Sequence, residues 1–327
     1  MIMVATRDEV TKGRARTEIP MAQRAPDNLK CVRHELPDRR RRALYRRAIL
    51  IAVAGNILLA AAKGVVAWTT GSSAVLSDAA NSLSDVLYSL MMSVGLYVAQ
   101  QPADENHPQG HSRFEPLVAL LIAAGMGVAG FTAVREGVRR FLGGGAAVAL
   151  QWPTVVLLAS ALTKVAMYKL VLDLSRSASS PALRASARDN LADVLASVAA
   201  WLGVLGSNIV HPLVDPIAGL AVALWIFRTM WEILAENVGY LTGRAAPSEV
   251  VAEIVSAASA VPGVMDVHQV IADYVGPELR VDMHIDVDGK TTLDEAHAIA
   301  EQVERQVEDL SAVDLAFVHV EPAHHQS

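Results

Sequence analysis

The chain has 327 residues, of which 52 % are apolar and only 19 % are charged, and its mean hydropathy is +0.32. Soluble domains carry about 25 % charged residues, so this composition indicates a membrane protein. The net charge of −6 offers no general basic surface for nucleic acid. The single cysteine, Cys31, excludes an intrachain disulfide and a cysteine-rich metal site.

A polar arm precedes the first apolar segment. We assign this flexible arm to residues 1–42, because it has no apolar periodicity and no signal-peptide core. Residues 43–240 contain enough apolar sequence for six membrane-spanning helices of about 20 residues each. Two predicted spans lie in Ala48–Ala99, separated at Thr69–Ser73, and the others are Pro116–Val134, Trp152–Leu172, Asn190–Val210 and Leu213–Trp231.

Positive charge is distributed unevenly between the predicted loops. Arginines cluster before the first span and recur after the second, fourth and sixth spans, whereas the opposite loops have no Lys or Arg. Because cytoplasmic loops retain positive charge, both termini are predicted to be cytoplasmic, in an integral protein of the cell (inner) membrane. Arg135, Arg139 and Arg140 stand at the wrong end of the third span and are interpreted as snorkelling side chains.

Residues 245–322 have the composition of a small soluble α+β domain. Alternating apolar and polar residues predict a strand at Glu278–Val287, and Thr292 with Glu295 forms a capping box that opens a helix. The order αββαβ predicts two helices on one face of a three-stranded sheet. The remaining elements are a helix at Ser248–Ala260, strands at Val264–Val275 and Val313–Val320, and a tail at residues 323–327.

Polar residues inside two predicted spans are the main functional signal. Asn81 and Asp85 in the second span, and Asp189 and Asp193 in the fifth, are spaced i, i+4, so each pair shares one helical face. A charge inside a span costs roughly 2.5–3.5 kcal/mol and marks a functional candidate. Two such faces opposed would form an all-oxygen site for a divalent cation. The alternative is that Asn81 and Asp189 lie near interfaces and only form hydrogen bonds. Asp215 is expected to cap the sixth helix.

A second group with metal-ligand chemistry follows the second span. Asp104, His107 and His111 are separated by Pro108 and Gly110, which forbid a regular helix. The three side chains therefore converge only if the loop wraps around a ligand. The alternative is a solvated polar loop.

A third group lies in the last domain. His319 and Glu321 share one face of the last predicted strand, and His284 lies on the polar face of its own strand. Several such side chains on one sheet face favour metal binding over isolated surface histidines.

Three sequence segments, together with six spans and an αββαβ tail, form a combination that is specific enough to indicate a family. They are Asn81–Asp85 (NSLSD), Gln101–His111 (QPADENHPQGH) and Asp189–Asp193 (DNLAD). In these segments, and over about residues 43–322, the chain resembles the cation diffusion facilitators. These are six-helix divalent-metal/proton antiporters with a cytoplasmic domain, and the resemblance implies a homodimer.

The resemblance also implies roles for individual residues. Asn81, Asp85, Asp189 and Asp193 match the family's central transport site, where metal is exchanged for protons. A second site in the loop after the second span is matched by Asp104, His107 and His111. A cytoplasmic site, often binuclear and near the dimer interface, is matched by His268, His284, His297, His319 and Glu321. Glu321 replaces the aspartate common in relatives.

The composition of the central site bears on its metal. Carboxylate and amide oxygens suit Mn²⁺, whereas imidazole favours Zn²⁺, and the predicted tetrad has no histidine. We therefore expect a manganese exporter, with Zn²⁺ or Fe²⁺ as alternatives, no organic cofactor, and protons as the counter-ion. Such a protein is a secondary active transporter and not an enzyme. The alternative function is a non-transporting metal sensor or assembly scaffold of the same fold.

Overall fold

The computed structural model describes residues 39–70, 73–144 and 152–323. The predicted arm up to residue 38, the break at residues 71–72, part of the loop before the fourth span, and the last four residues lie outside these ranges. The first helix begins at Arg39 and so includes the last four residues of the predicted arm.

Six long helices form the first part of the structure. They are α1 (Arg39–Thr70), α2 (Ser73–Ala99), α3 (Phe114–Leu142), α4 (Trp152–Ser177), α5 (Pro181–Ile209) and α6 (Val214–Leu241). Among the described residues, five of them are long and apolar enough to cross a membrane, judged by length and composition alone. The exception is α4, whose described part carries Lys164, Lys169, Asp173 and Arg176.

The helices pack most extensively in the pairs α3 with α6, α4 with α5, and α1 with α2. Glycines lie at some of the contacts between these helices. A Cβ atom at Gly95 would collide with the side chain of Val118, and one at Gly137 would lie 2.9 Å from the side chain of Leu220. Small residues at such contacts let backbones approach in a membrane, where apolar burial does not drive helix association.

Large apolar side chains cover the outer surface of this helical domain. Trp68 is 90 % exposed, and Leu50, Val94 and Phe131 are each at least 64 % exposed. A soluble domain of this size rarely leaves so much apolar surface in contact with water. These side chains suit a lipid environment.

The second part of the structure is a small α+β domain. Its elements are α7 (Ser248–Ser259), β1 (Asp266–Val275), β2 (Glu278–Val287), α8 (Leu293–Glu308) and β3 (Val313–Pro322). Strand β2 is central, antiparallel to β1 and parallel to β3. Alternate residues of β2 are buried with both helices, which leaves the opposite sheet face open. The predicted fold class, six helices followed by an αββαβ domain, is confirmed.

Two helix starts test the predicted caps. Thr292 and Glu295 form the predicted capping box at the start of α8, with each side chain bonded to the other residue's backbone N–H. The prediction that Asp215 caps α6 is wrong, because the N-cap residue is Leu213 and no side chain bonds there. Asp215 instead lies 3.0 Å from Arg140, a partner on α3 that local spacing does not reveal.

A buried carboxylate marks the junction between the two domains. Glu115, at the start of α3, is 2 % exposed and accepts hydrogen bonds from the hydroxyls of Tyr45, at 2.7 Å, and Ser180. Arg41 on α1 lies 3.7 Å from Glu115 and also pairs with Glu278 at the start of β2. One arginine therefore connects α1 and α3 to the second domain.

Candidate metal centres

Three of the four predicted transport residues lie in the same region of the helix bundle, although their oxygens do not all lie within 4.8 Å of one another as the ligand atoms of the two other clusters do. Asp85 projects from α2, and Asp189 and Asp193 project from α5, one helical turn apart. The three carboxylates are close enough to interact electrostatically. Asn81 lies on α2, but its side chain is outside what the structure describes.

A lysine lies among these carboxylates. The Nζ atom of Lys164 on α4 is 2.9 Å from Asp85 Oδ2 and 2.7 Å from Asp193 Oδ2, and the residue is 5 % exposed. This position of Lys164 was not predicted from the sequence. The available signal was a lysine inside a predicted span, because a buried ammonium needs an acidic partner.

Two residues of α1 complete the surroundings of Asp85. Asn56 is buried and its Nδ2 donates a 3.3 Å hydrogen bond to the backbone carbonyl of Asp85, while its Oδ1 has no hydrogen-bond partner among the described residues. Lys63 is also buried and interacts electrostatically with Asp85. The centre is therefore polar and charged inside an otherwise apolar bundle, on α1, α2, α4 and α5.

The loop between α2 and α3 brings its three predicted ligands together. Asp104, His107 and His111 each offer a ligand atom within 4.8 Å of the others. His111 is buried, and its Nδ1 lies 3.0 Å from the carbonyl oxygen of Pro102. Because a carbonyl only accepts hydrogen bonds, Nδ1 carries the proton and Nε2 is left to bind a metal.

Backbone amides of this loop donate hydrogen bonds to the carboxylate of Asp104. Asp104 accepts hydrogen bonds from the backbone N–H groups of His107, at 2.7 Å, and Asn106, at 2.9 Å. These bonds hold the pKa of Asp104 below its usual range. The carboxylate is therefore ionised at neutral pH, as a metal ligand must be.

A third cluster lies on the open face of the sheet. His268, His284 and Glu321 converge within 4.8 Å. The register of β2 and β3 pairs His284 with His319, and their rings lie 4.8 Å apart. His319 Nε2 is 3.6 Å from Glu321 Oε1, so four of the five predicted ligands are adjacent.

A β-bulge in β1 brings His268 into this cluster. The pairing of β1 with β2 shifts between Val267 and Gln269, so His268 is the extra residue of a β-bulge. Its ring lies 3.4 Å from Asp286 and 3.7 Å from Glu321. Asp286, absent from the predicted set, is thus a further oxygen donor beside the cluster.

His297 does not join the other predicted ligands. It lies on α8, exposed, with Nε2 3.4 Å from Glu301 one turn later. The helices cover the opposite face of the sheet, so within one chain His297 is separated from His284 and Glu321.

Family models match both parts of the chain. The cation efflux transmembrane domain matches residues 49–242, and the cytoplasmic domain of cation efflux proteins matches residues 246–323. The chain belongs to the cation efflux (cation diffusion facilitator) family. It is therefore an integral membrane protein of a metal efflux transporter family, with the family's cytoplasmic dimerisation domain.

Individual relatives span nearly the same length. An uncharacterized transporter of Methanocaldococcus jannaschii is 33 % identical over 84 % of this chain and 96 % of its own. The manganese efflux system protein MneS of Bacillus subtilis is 26 % identical over 84 % of this chain and 94 % of its own. The magnetosome protein MamM of Paramagnetospirillum magneticum is 32 % identical over 79 % of this chain and 81 % of its own.

Proposed function

We propose that this cation efflux protein exports Mn²⁺ from the cytoplasm in exchange for protons, by alternating access to one central site. The ligands of that site are Asn81, Asp85, Asp189 and Asp193. The observation that carries the proposal is that Asp85 on α2 and Asp193 on α5 lie 2.9 and 2.7 Å from the same buried ammonium group inside the helix bundle, with Asp189 one helical turn from Asp193.

The chemistry of the ligands supports manganese as the substrate. The proposed tetrad has only carboxylate and amide oxygens, which are donors that suit Mn²⁺ better than the imidazole favoured by Zn²⁺. Similarity to a manganese efflux protein over most of the chain points the same way. Zn²⁺ and Fe²⁺ are the competing substrates.

We expect proton exchange because ionised carboxylates are unfavourable inside the bundle when no metal is bound. Metal bound from the cytoplasm neutralises ionised Asp85, Asp189 and Asp193. After the metal leaves on the other side, Lys164 balances only part of the charge of the three carboxylates, and burial disfavours the remaining charge, so protons take the place of the metal. The return step then carries protons inward, and the proton gradient drives export.

The two outer clusters supply further metal sites in this proposal. Asp104, His107 and His111 bind metal at the loop, and His268, His284, His319 and Glu321 bind it on the cytoplasmic sheet. Metal on the sheet favours association of two cytoplasmic domains in a homodimer. Both termini are cytoplasmic, and the protein resides in the cell (inner) membrane.

Metal uptake by reconstituted protein tests the transport site. Liposomes containing the purified full-length protein and a metal-sensitive dye are exposed to external Mn²⁺. We expect uptake by the wild type. In Asp189→Asn the uptake rate should fall at least about a hundredfold, because loss of one charged ligand weakens metal binding and removes a carboxylate that takes up a proton when the metal leaves. Asp173→Asn is the matched control, since Asp173 is exposed on α4.

The results separate transport from other roles. Uptake that survives in Asp189→Asn would refute the central site. Absence of uptake for every divalent metal, with folded protein, would favour a sensor or scaffold of the same fold.

A further inference from the structure

We propose that Lys164 is an internal cation that competes with the metal for Asp85 and Asp193 and thereby sets the metal affinity of the transport site. The inference rests on the proposed function, because it assumes that these carboxylates bind the transported ion.

The ammonium group of Lys164 lies where a metal bound to Asp85 and Asp193 would lie. The ammonium donates a hydrogen bond to Asp85 and forms an ion pair with Asp193, so one positive charge serves two carboxylates. Lys164 Nζ lies 2.9 Å from Asp85 Oδ2 and 2.7 Å from Asp193 Oδ2, bridging α2 and α5 from α4. Zn²⁺–carboxylate bonds, for comparison, are about 2.0–2.2 Å long, so a metal ion bound to both oxygens would occupy the position of the ammonium between them.

Burial makes the competition strong. Lys164 is 5 % exposed, so water does not replace the carboxylates as its partner. A divalent ion beside an ammonium meets repulsion that the surrounding protein screens poorly. Metal binding to Asp85 and Asp193 therefore requires Lys164 to withdraw from at least one of them.

Asp189 remains available while Lys164 is in place. Lys164 interacts with Asp189 electrostatically, but among the described residues no cation lies within ion-pair distance of Asp189. An entering metal can therefore bind first at Asp189 and then displace the ammonium from Asp193, four residues further along α5.

This arrangement serves a transporter that must release its ion. Without a positive group, several buried carboxylates would hold a divalent ion tightly, and the empty site would be costly. Lys164 stabilises the empty site and destabilises the loaded one. Moderate affinity and fast release follow from the same contact.

Direct metal binding tests the inference. Mn²⁺ titrations by calorimetry use full-length protein in detergent, carrying His111→Ala and His284→Ala to weaken the two outer clusters. In this background we expect Lys164→Gln to lower the Kd at least about tenfold, because a charged competitor is removed. Lys164→Arg keeps the charge and should stay within about threefold. Lys169→Gln, exposed on the same helix, should leave the Kd unchanged.

Flux adds a second readout. In liposomes, Lys164→Gln should lower both the KM and the maximal rate for Mn²⁺, because tighter binding slows release. If Lys164→Gln loses its thermal unfolding transition, Lys164→Met removes the same charge with an apolar side chain of similar length.

Two failures are distinguishable. A Kd that is unchanged or weaker in folded Lys164→Gln or Lys164→Met would overturn the competition and leave Lys164 as a structural ion pair. Binding that is unaffected by Asp189→Asn in the same background would overturn the proposed transport site itself.

Discussion

His284 Nδ1 lies 2.9 Å from Glu321 Oε1, across the two parallel strands β2 and β3. His268 lies beside this contact, with ligand atoms of all three residues within 4.8 Å of one another. We predict that Glu321→Gln weakens metal binding at this cluster by roughly 10–100-fold, because an ionised ligand becomes a neutral amide. Metal titration of the full-length protein measures this, with Glu253→Gln, exposed on α7, as the control. Equal affinity in both variants would remove Glu321 from the site.

The same contact predicts a pH dependence of stability. A hydrogen bond from His284 holds the pKa of Glu321 below its usual range. A carboxyl with a lowered folded-state pKa contributes stability above its unfolded-state pKa, near 4.3, and loses the contribution as the pH falls through the folded value. Glu321→Gln should therefore lower the thermal unfolding temperature of metal-free protein at pH 7, and the difference should shrink toward pH 3. A difference that grows between about pH 5 and pH 3, where Glu321 takes up a proton, would contradict this assignment.

The loop between α2 and α3 gives a separate prediction. His111→Ala removes a proposed ligand that is already fixed by Pro102, so we expect a roughly 10–100-fold loss of metal affinity at the loop. Calorimetry measures this affinity in protein that also carries His284→Ala, because that substitution weakens metal binding at the cytoplasmic cluster. Glu105→Gln, exposed in the same loop, should have no effect. Equal affinities in the two variants would indicate an ordinary polar loop.

Arg41 should matter more for stability than its partner Glu278. Arg41→Gln leaves Glu115 buried without its nearest cation, which costs roughly 1–3 kcal/mol, whereas Glu278 is partly exposed and can be hydrated. Thermal unfolding of the full-length protein in detergent should rank Arg41→Gln below Glu278→Gln. Arg46→Gln, exposed on the same helix, should resemble the wild type. The reverse ranking would show that Glu115 does not depend on Arg41.

Features set by local sequence were predictable. The capping box of Thr292 and Glu295 lies within one helical turn, and the alternation along β2 alone identifies its buried face. The i, i+4 spacing likewise placed Asp189 and Asp193 on one side of α5.

Features set by long-range packing were not predictable from spacing. Lys164 is 79 residues from Asp85, and Arg41 is 237 residues from Glu278. Each pair depends on how helices and domains dock, which a single sequence does not specify. The bulge at His268 and the pairing of Asp215 with Arg140 are of the same kind, because a partner element determines where the side chain points.

Simultaneous measurement of metal and proton movement tests the central claim most directly. Liposomes containing wild-type protein are loaded with a pH dye, and Mn²⁺, Zn²⁺, Fe²⁺, Co²⁺ and Cd²⁺ are added in turn, with Asp189→Asn as the control. The proposed antiporter predicts proton movement opposite to the metal, largest for Mn²⁺ and lost in the variant. Mn²⁺ uptake without any pH change, or uptake insensitive to an imposed pH gradient, would contradict proton-coupled export.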